Sequence, residues 1–180
     1  MWSSSSPMAS FTIRGRDPRS RRQVIVGLLS LAVHPKGFSQ VIRWSIGQQV
    51  TPPPLTLLDG TLVDWGALRG KVIVLEFWAA WCPFCARQNP ILDRFYRAHQ
   101  SRGLEVITVS LDKTKESALA YMRKGGYAFK AAMANEAWTA IYQQRKGLPQ
   151  LFVMDRTGKL VMIEIRELME EDIHEITRFL

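Results

Sequence analysis

Two cysteines three residues apart are the part of this sequence with the clearest capacity for chemistry. Cys82 and Cys85 are the only cysteines of the chain, and they close the stretch EFWAAWCPFC. Such a pair can form a structural disulfide, hold part of a metal site, or cycle between dithiol and disulfide. A loop this short gives only about 2 kcal/mol of chain-entropy stabilisation, so a purely structural disulfide would contribute little here.

Other residues give little support to a metal or haem site. Zinc sites use about four ligands, whereas the chain adds only three histidines to the two cysteines, and His34, His99 and His174 are scattered. Covalent haem attachment requires a histidine directly after the second cysteine, and Ala86 occupies that position. We therefore expect no metal and no cofactor.

The segments on either side of the pair favour redox chemistry. KVIVLEFW at 71–78 is a nearly continuous apolar run, which predicts a strand covered on both faces. Apolar residues then recur at helical spacing from Pro83 to about Arg102, where Gly103 can end the helix. Cys82 therefore lies at a helix N-terminus, where the helix dipole and unpaired amides stabilise a thiolate.

This position predicts different roles for the two thiols. Cys82 is expected to be the exposed, activated nucleophile, and Cys85, one helical turn further on, the shielded thiol that resolves the mixed disulfide. Pro83 has no amide hydrogen to lose at the first helical position, and it holds the two sulfurs in place. Phe84 adds no charge, so the sequence leaves the reduction potential open.

Strands and helices alternate along the rest of the chain. A small N-terminal β-hairpin is expected at 55–63, because the Asp59-Gly60 pair is typical of a tight turn. Further strands are expected at 104–111, 128–134, 150–154 and 159–165, and helices at 114–124, 136–146 and the C-terminus, where Met169, Ile173, Ile176 and Leu180 form an apolar stripe. This order predicts an α/β fold of three layers around a central mixed β-sheet.

The N-terminal residues predict an export signal. SRRQ at 20–23 precedes the apolar run VIVGLLSLAV at 24–33, which is too short to span a bilayer. A short apolar run behind Arg21 and Arg22 is typical of a twin-arginine export signal. A mitochondrial transit peptide and a buried element of a cytosolic protein are the alternatives. The expected division is an export leader or membrane anchor at 1–40, a Pro-containing linker at 41–54 and the folded domain at 55–180.

Composition and charge are those of a globular protein. Apolar residues make up 47% of the chain and charged residues 22%, as in soluble domains. The net charge of +8 is concentrated in residues 1–40, where six Lys and Arg stand against one acid, which leaves 18 basic and 15 acidic residues for the rest. Because no compact basic stripe lies beyond the leader, we expect no nucleic-acid partner.

Two motifs together resemble the thioredoxin fold, and specifically the exported thiol-disulfide oxidoreductases of the TlpA/ResA type. They are VLEFWAAWCPFC and GLPQLFVMDRTGKLV, and the resemblance covers about residues 50–180. It implies a cis peptide at Pro149, which faces the cysteine pair, and a backbone at Leu148 that pairs with the bound partner chain. It also implies that residues 112–146 contain the helix-strand insertion that separates this family from plain thioredoxin.

The resemblance implies a substrate surface and a reaction. Trp81, Pro83 and Phe84 would contact disulfide-bonded protein substrates. The resemblance favours reduction of those substrates, with their oxidation as the alternative. The protein would act in the bacterial periplasm or cell envelope, for instance in cytochrome c maturation, and a membrane or soluble dithiol electron donor would reduce it again. Gln150 and Leu151 replace small polar residues of the family motif, so the partner groove is expected to differ in shape.

Glu76 is expected to take part in the proton chemistry of the pair. A carboxylate in the middle of a buried strand is costly unless it is protonated or has a partner. Glu76 resembles the buried acid of thioredoxin itself, whereas many TlpA-type proteins have Asn at this position. A raised pKa would suit Glu76 to accept the proton of Cys85 as that thiol attacks. In the alternative, its side chain reaches the sheet edge and has no role.

Two other functions remain open from the sequence. A thiol peroxidase of the same fold would have Thr three residues before its reactive cysteine, where this chain has Ala79. A redox-inert thioredoxin-like module for binding or assembly would not need both thiols, the strand acid and the facing proline. Cycling of Cys82 and Cys85 with a dithiol partner distinguishes an enzyme from such a module.

Overall fold

The computed structural model describes residues 43–180, which form a five-stranded mixed sheet with helices on both faces. The strands are β1 (Val72–Trp78), β2 (Leu104–Ser110), β3 (Lys130–Met133), β4 (Gln150–Met154) and β5 (Leu160–Glu164). The helices are α1 (Pro83–His99), α2 (Lys115–Gly125), α3 (Glu136–Gln143) and α4 (Glu170–His174), and 3₁₀ turns follow at Gln100–Arg102 and Glu175–Phe179. The predicted α/β fold class is confirmed, and α2, β3 and α3 occupy the expected insertion.

Strand β1 lies at the centre of the sheet, whose order is β3-β2-β1-β4-β5. It runs parallel to β2 and antiparallel to β4. All seven residues of β1 are buried, which explains its continuous apolar sequence. In the antiparallel pair Phe77 lies opposite Gln150, so the start of β4 lies beside the end of β1, where the chain leads into the cysteines.

The side chains of β1 alternate between two differently built faces of the sheet. The face that carries Val72 and Val74 packs against α1 and α4, with Leu92, Phe95 and Ile173 among its neighbours. We call it the α1 face. The opposite face carries Leu75 and Phe77 and packs against α3, with Trp44, Trp138 and Phe152. We call it the aromatic face.

The segment predicted as a linker at 41–54 packs against the domain from Trp44 onward. Trp44 is 1% exposed, and its ring lies 5.3 Å from that of Phe152 and 6.0 Å from that of Trp138, between centroids. The Gly47 amide donates to the Leu160 carbonyl at 2.8 Å. The prolines do not act as a free spacer here, because the Pro54 carbonyl accepts a hydrogen bond from the Trp138 indole at 3.2 Å. The packed domain therefore begins before the predicted boundary.

Two other predicted elements are smaller than expected. The N-terminal hairpin is reduced to one bridge, Thr56 with Leu62, and the same segment also bridges Ala132 of β3 through Leu57. At the C-terminus Met169 is exposed and precedes α4, whereas Ile173 and Ile176 are fully buried. Met169 therefore does not belong to the predicted apolar stripe, because the helix begins only at Glu170. No helix within residues 43–180 has the length and apolar content needed to cross a membrane.

Leader residues 1–40, which include Arg21 and Arg22 of the predicted export signal, lie outside the described part of the chain.

Candidate active site

The cysteine pair lies where β1 gives way to α1, as the sequence predicted. Cys82 is the N-cap residue of α1 and Pro83 is its first residue. The two cysteines form a disulfide with a Cα–Cα distance of 5.3 Å. The Cys85 backbone amide donates to the Cys82 sulfur at 3.2 Å. This amide is one of those at the start of a helix that have no partner within the helix. The same amide can stabilise negative charge on this sulfur when the pair is reduced.

The two sulfurs lie beneath an exposed rim. Cys85 is fully buried and Cys82 is only 3% exposed. The expectation that Cys82 is exposed is therefore not met in the disulfide form, because its neighbours cover it. Trp81 is 68% exposed, and Pro83 and Phe84 are also exposed. Three exposed residues thus flank Cys82, the less buried of the two cysteines, in the sequence.

Asp112 fixes the loop that precedes the pair, and the sequence analysis missed it. Its carboxylate accepts the Ala80 backbone amide at 3.0 and 3.2 Å, and the Ser110 hydroxyl donates to it at 2.7 Å. Asp112 lies just beyond the end of β2, and parallel strands end at the same edge of a sheet. An acid two residues beyond β2 was therefore a signal that could have placed it beside the end of β1.

The peptide between Leu148 and Pro149 is cis, as predicted. Pro149 is buried and directly precedes β4. Continuing the β1–β4 register by one residue beyond Phe77 and Gln150 sets Pro149 opposite Trp78. Leu148 packs against the small cluster that contains both cysteines. The predicted proline loop and the cysteine pair therefore meet at one end of the sheet.

Glu76 is fully buried on the α1 face, in the middle of β1. Its carboxylate accepts a hydrogen bond from the Gln88 amide nitrogen at 2.7 Å. Burial raises the pKa of Glu76 to about 8, and the Gln88 hydrogen bond opposes part of that rise. Glu76 can therefore gain or lose a proton near neutral pH. Its side chain does not reach the sheet edge.

Two amides of α1 hold Glu76, and the sequence analysis did not single them out. Gln88 and Asn89 are fully buried, three and four residues beyond Cys85. Side chains at that helical spacing share a face with Cys85, which was a usable signal. When the Asn89 amide is turned with its nitrogen toward Glu76, it donates to both carboxylate oxygens at 3.1 Å and to the Cys85 carbonyl at 3.2 Å. Its oxygen then accepts the Tyr121 hydroxyl at 3.2 Å.

A further connection runs from this site to the C-terminal segment. The Gln88 side-chain oxygen accepts the Leu168 backbone amide at 2.6 Å. Both ends of the Gln88 amide are therefore occupied. No three His, Cys, Asp or Glu side chains come together as metal ligands anywhere between residues 43 and 180.

Fold and site together define the class of protein. A mixed sheet, a cis-proline loop and a disulfide at the start of α1 describe a thioredoxin-like protein whose cysteine pair is arranged for thiol-disulfide exchange.

Comparison with known proteins specifies this class further. The model of the Redoxin family matches residues 45–179. Thiol-disulfide oxidoreductase ResA from Bacillus cereus is 25% identical over 152 residues, covering 83% of this chain and 87% of that protein. The protein of the same name from Bacillus subtilis is 26% identical over 133 residues, covering 73% and 74%.

A solved structure gives the same fold. The thioredoxin domain of a thiol-disulfide oxidoreductase from Bacteroides vulgatus superposes with a TM-score of 0.67 at 21% identity, covering 76% of this chain and 98% of that one. The chain belongs to the Redoxin family, and it is a thiol-disulfide oxidoreductase of the TlpA/ResA type.

Proposed function

We propose that this protein reduces disulfide bonds in other proteins, with Cys82 as the nucleophile, Cys85 as the resolving thiol and Glu76 as the proton acceptor. One observation carries the proposal. A fully buried carboxylate whose pKa is raised to about 8 lies on the face of β1 that packs under α1, the helix that begins at the cysteine pair.

The first step uses the reduced form of the pair. The Cys82 thiolate attacks one sulfur of a substrate disulfide, forms a mixed disulfide and displaces the other substrate sulfur as a thiolate. The N-terminus of α1 and the Cys85 amide stabilise the attacking thiolate. No charged residue lies between the cysteines, since Pro83 and Phe84 are neutral. The activation of Cys82 therefore rests mainly on the backbone.

The second step closes the disulfide of the enzyme. Cys85 gives its proton to the ionised carboxylate of Glu76, and its thiolate attacks the Cys82 sulfur. The second substrate sulfur leaves as a thiolate, and two electrons have passed from enzyme to substrate. Because Cys85 is fully buried, its thiolate is unfavourable unless a base takes the proton at that moment. Glu76 can supply that base near neutral pH.

Substrate contact is proposed for the rim and the proline loop. Trp81, Pro83 and Phe84 offer exposed apolar surface beside Cys82. Leu148 offers a backbone that precedes the cis peptide of Pro149, where an extended substrate segment can pair. The chemistry of this surface fits a polypeptide with apolar side chains next to its cysteine.

Direction and location complete the proposal. We place the protein at the bacterial cell envelope, exported by the twin-arginine signal around Arg21 and Arg22, with cytochrome c maturation as a candidate pathway. A membrane or soluble dithiol protein would reduce it again. As a reductant, it should have a potential nearer to about −270 mV than to about −120 mV. Equilibration with a dithiol buffer of known potential measures this value.

Trapping in cells tests the enzyme function. In a Cys85→Ser variant the mixed disulfide cannot resolve, so we expect substrate proteins to accumulate on Cys82. The Cys82→Ser variant is the matched control, because it removes the nucleophile and should capture nothing by this route. If Cys85→Ser captures no protein and the wild-type pair stays permanently oxidised, the function is instead that of a redox-inert module.

A kinetic variant tests the role of Glu76. In Glu76→Gln we expect resolution of a preformed mixed disulfide to slow by about 10²-fold near neutral pH, the low end for a lost general base. The matched control is Glu105→Gln, another buried glutamate, which lies on β2 opposite Ile73 and pairs with Lys130 at 2.9 Å. Equal rates in the wild type and Glu76→Gln would remove Glu76 from the mechanism.

A further inference from the structure

The Asn89 side chain lies between one group that titrates and one that can reverse its hydrogen bond. On one side is the Glu76 carboxylate, and on the other is the Tyr121 hydroxyl. In one orientation the Asn89 nitrogen donates to the Tyr121 hydroxyl at 3.2 Å, and its oxygen faces the carboxylate. In the other orientation the nitrogen donates to both Glu76 oxygens at 3.1 Å, and the oxygen accepts the Tyr121 hydroxyl at 3.2 Å.

Each orientation satisfies a different protonation state of Glu76. An ionised carboxylate only accepts hydrogen bonds, so it requires the Asn89 nitrogen. A protonated carboxyl has one O–H to donate, and the Asn89 oxygen is an acceptor for it. The Asn89 oxygen against an ionised carboxylate would set two acceptors against each other in a fully buried site, which is costly. The Asn89 nitrogen against a protonated carboxyl would leave its O–H without the acceptor that the Asn89 oxygen offers. The preferred orientation of Asn89 therefore depends on the Glu76 proton.

The neighbouring amide of Gln88 has no such freedom. Its oxygen accepts the Leu168 backbone amide at 2.6 Å, and a backbone amide can only donate. Turning Gln88 over would set two N–H groups against each other at Leu168. Gln88 thus donates to Glu76 in both protonation states, which leaves Asn89 as the amide that can follow the proton.

Tyr121 suits the other end of this arrangement. Burial raises the pKa of Tyr121, and a hydrogen bond to Tyr127 raises it further. The hydroxyl thus stays neutral and keeps both donor and acceptor capacity. The surrounding elements add few other titratable groups. Helix α2 contributes Tyr121, with Tyr127 beyond it. Helix α1 contributes Cys85, which is held in the disulfide, and the C-terminal segment contributes only the backbone amide of Leu168, which does not titrate.

We propose that Asn89 is a positioning residue whose side-chain amide rotates by 180° each time Glu76 gains or loses its proton. The Tyr121 hydroxyl then changes from donor to acceptor when Glu76 gains the proton, and back when Glu76 loses it. In the proposed function this gives the Glu76 carboxyl a hydrogen-bond partner at Asn89 in both of its protonation states, while the Asn89 hydrogen bond to the Cys85 carbonyl exists only in the ionised state. When Glu76 is ionised and ready to accept a proton, Asn89 donates to it and to the Cys85 carbonyl. After the transfer, Asn89 accepts from Glu76 and donates to Tyr121. The inference rests on the proposed function only where it assigns the source of the proton to Cys85.

Nuclear magnetic resonance of the oxidised wild-type protein tests this directly. With ¹⁵N-labelled protein, we expect the Asn89 side-chain amide protons to lie near the Tyr121 ring at about pH 6 and near the Cys85 backbone at about pH 10. The change should have one midpoint, at the Glu76 titration near pH 8. The Asn135 amide is the control, because it caps α3 through its oxygen and should not respond. Unchanged Asn89 contacts across this range would overturn the proposal.

A variant separates this inference from the proposed function. In Glu76→Gln no proton is exchanged at this position, so we expect the Asn89 amide to keep one orientation at every pH. A pH-dependent rotation of the Asn89 amide in this variant would overturn the proposal. If Asn89 turns over in the wild type but Glu76→Gln resolves mixed disulfides at the normal rate, the inference stands and the catalytic role of Glu76 fails. If resolution slows but Asn89 never turns, the catalytic role stands and the inference fails.

Discussion

On the aromatic face of the sheet Phe77 is surrounded by rings, whereas on the α1 face the adjacent residue Glu76 is surrounded by amides. The Phe77 ring lies between 5.8 and 6.1 Å from those of Tyr142, Trp138 and Phe152, between centroids. Glu76 is held by Gln88 and Asn89. Both side chains are fully buried, so the difference is one of chemistry and not of depth.

The two faces of β1 therefore contribute differently to the stability of the fold. Apolar burial on the aromatic face stabilises the fold, while the α1 face buries a carboxylate at a cost in stability. Such a cost is expected at a functional site, and Glu76 is the proton acceptor that we propose for the cysteine pair. A protein can keep such a group only because the opposite face supplies enough stability.

The aromatic face should respond most strongly to truncation. We expect Trp44→Ala to lower the free energy of unfolding by about 3–5 kcal/mol, because it opens a cavity among Trp138 and Phe152. Denaturant unfolding of the oxidised protein measures the loss. Ile46→Ala is the control, since Ile46 is 66% exposed and should change little. A loss for Trp44→Ala as small as that for Ile46→Ala would mean that this segment does not belong to the stable core.

The location of Trp44 also shows where sequence prediction of the fold reached its limit. The strands and helices from β1 onward followed from runs and periodicity, because each pattern reports burial within its own segment. The residues around Trp44 have no such pattern, and the three prolines that follow suggested a spacer. Only tertiary contacts, such as the Pro54 carbonyl with Trp138, show that the segment packs.

The α1 face should respond to pH in a way that the aromatic face does not. Because burial raises the pKa of Glu76 from 4.5 to about 8, the folded protein holds a proton that the unfolded chain releases between these values. The free energy of unfolding should therefore fall as pH rises through this range, by on the order of 1 kcal/mol per pH unit. In Glu76→Gln this slope should disappear, leaving the variant the more stable protein above about pH 8.

Denaturant unfolding of both proteins between about pH 5 and about pH 9 measures the slope. A wild-type slope equal to that of Glu76→Gln would show that Glu76 is not buried in its neutral form.

Removal of the Gln88 side-chain amide should destabilise the α1 face. We expect Gln88→Leu to lower the free energy of unfolding by about 2–3 kcal/mol, since both Glu76 and the Leu168 amide lose a buried partner. Gln143→Leu is the control, because Gln143 is exposed on α3. A loss in Gln88→Leu no greater than in this control would mean that the hydrogen bonds of Gln88 contribute nothing net.

The sequence predicted the cysteines, the proline and the acid of the site, but not the two amides that hold the acid. Cys82, Cys85 and Pro149 belong to local motifs, and Glu76 stands out as an acid within an apolar strand. Gln88 and Asn89 have no such mark, because amides are common on the exposed faces of helices. Their partners, Leu168 and Tyr121, are distant in sequence, and only the folded chain brings them together.

A second buried glutamine gives the opposite case on the aromatic face. Gln150 lies opposite Phe77 and is fully buried, yet neither its amide nitrogen nor its oxygen has a hydrogen-bond partner within residues 43–180. We expect Gln150→Leu to raise the free energy of unfolding by about 1–2 kcal/mol, because the substitution removes an unpaired amide from apolar surroundings. Denaturant unfolding of Gln150→Leu and Gln88→Leu side by side measures a gain and a loss in the free energy of unfolding for the same Gln-to-Leu change. Destabilisation in both variants would show that Gln150 is paired in solution, and the two faces would then differ less than their side chains indicate.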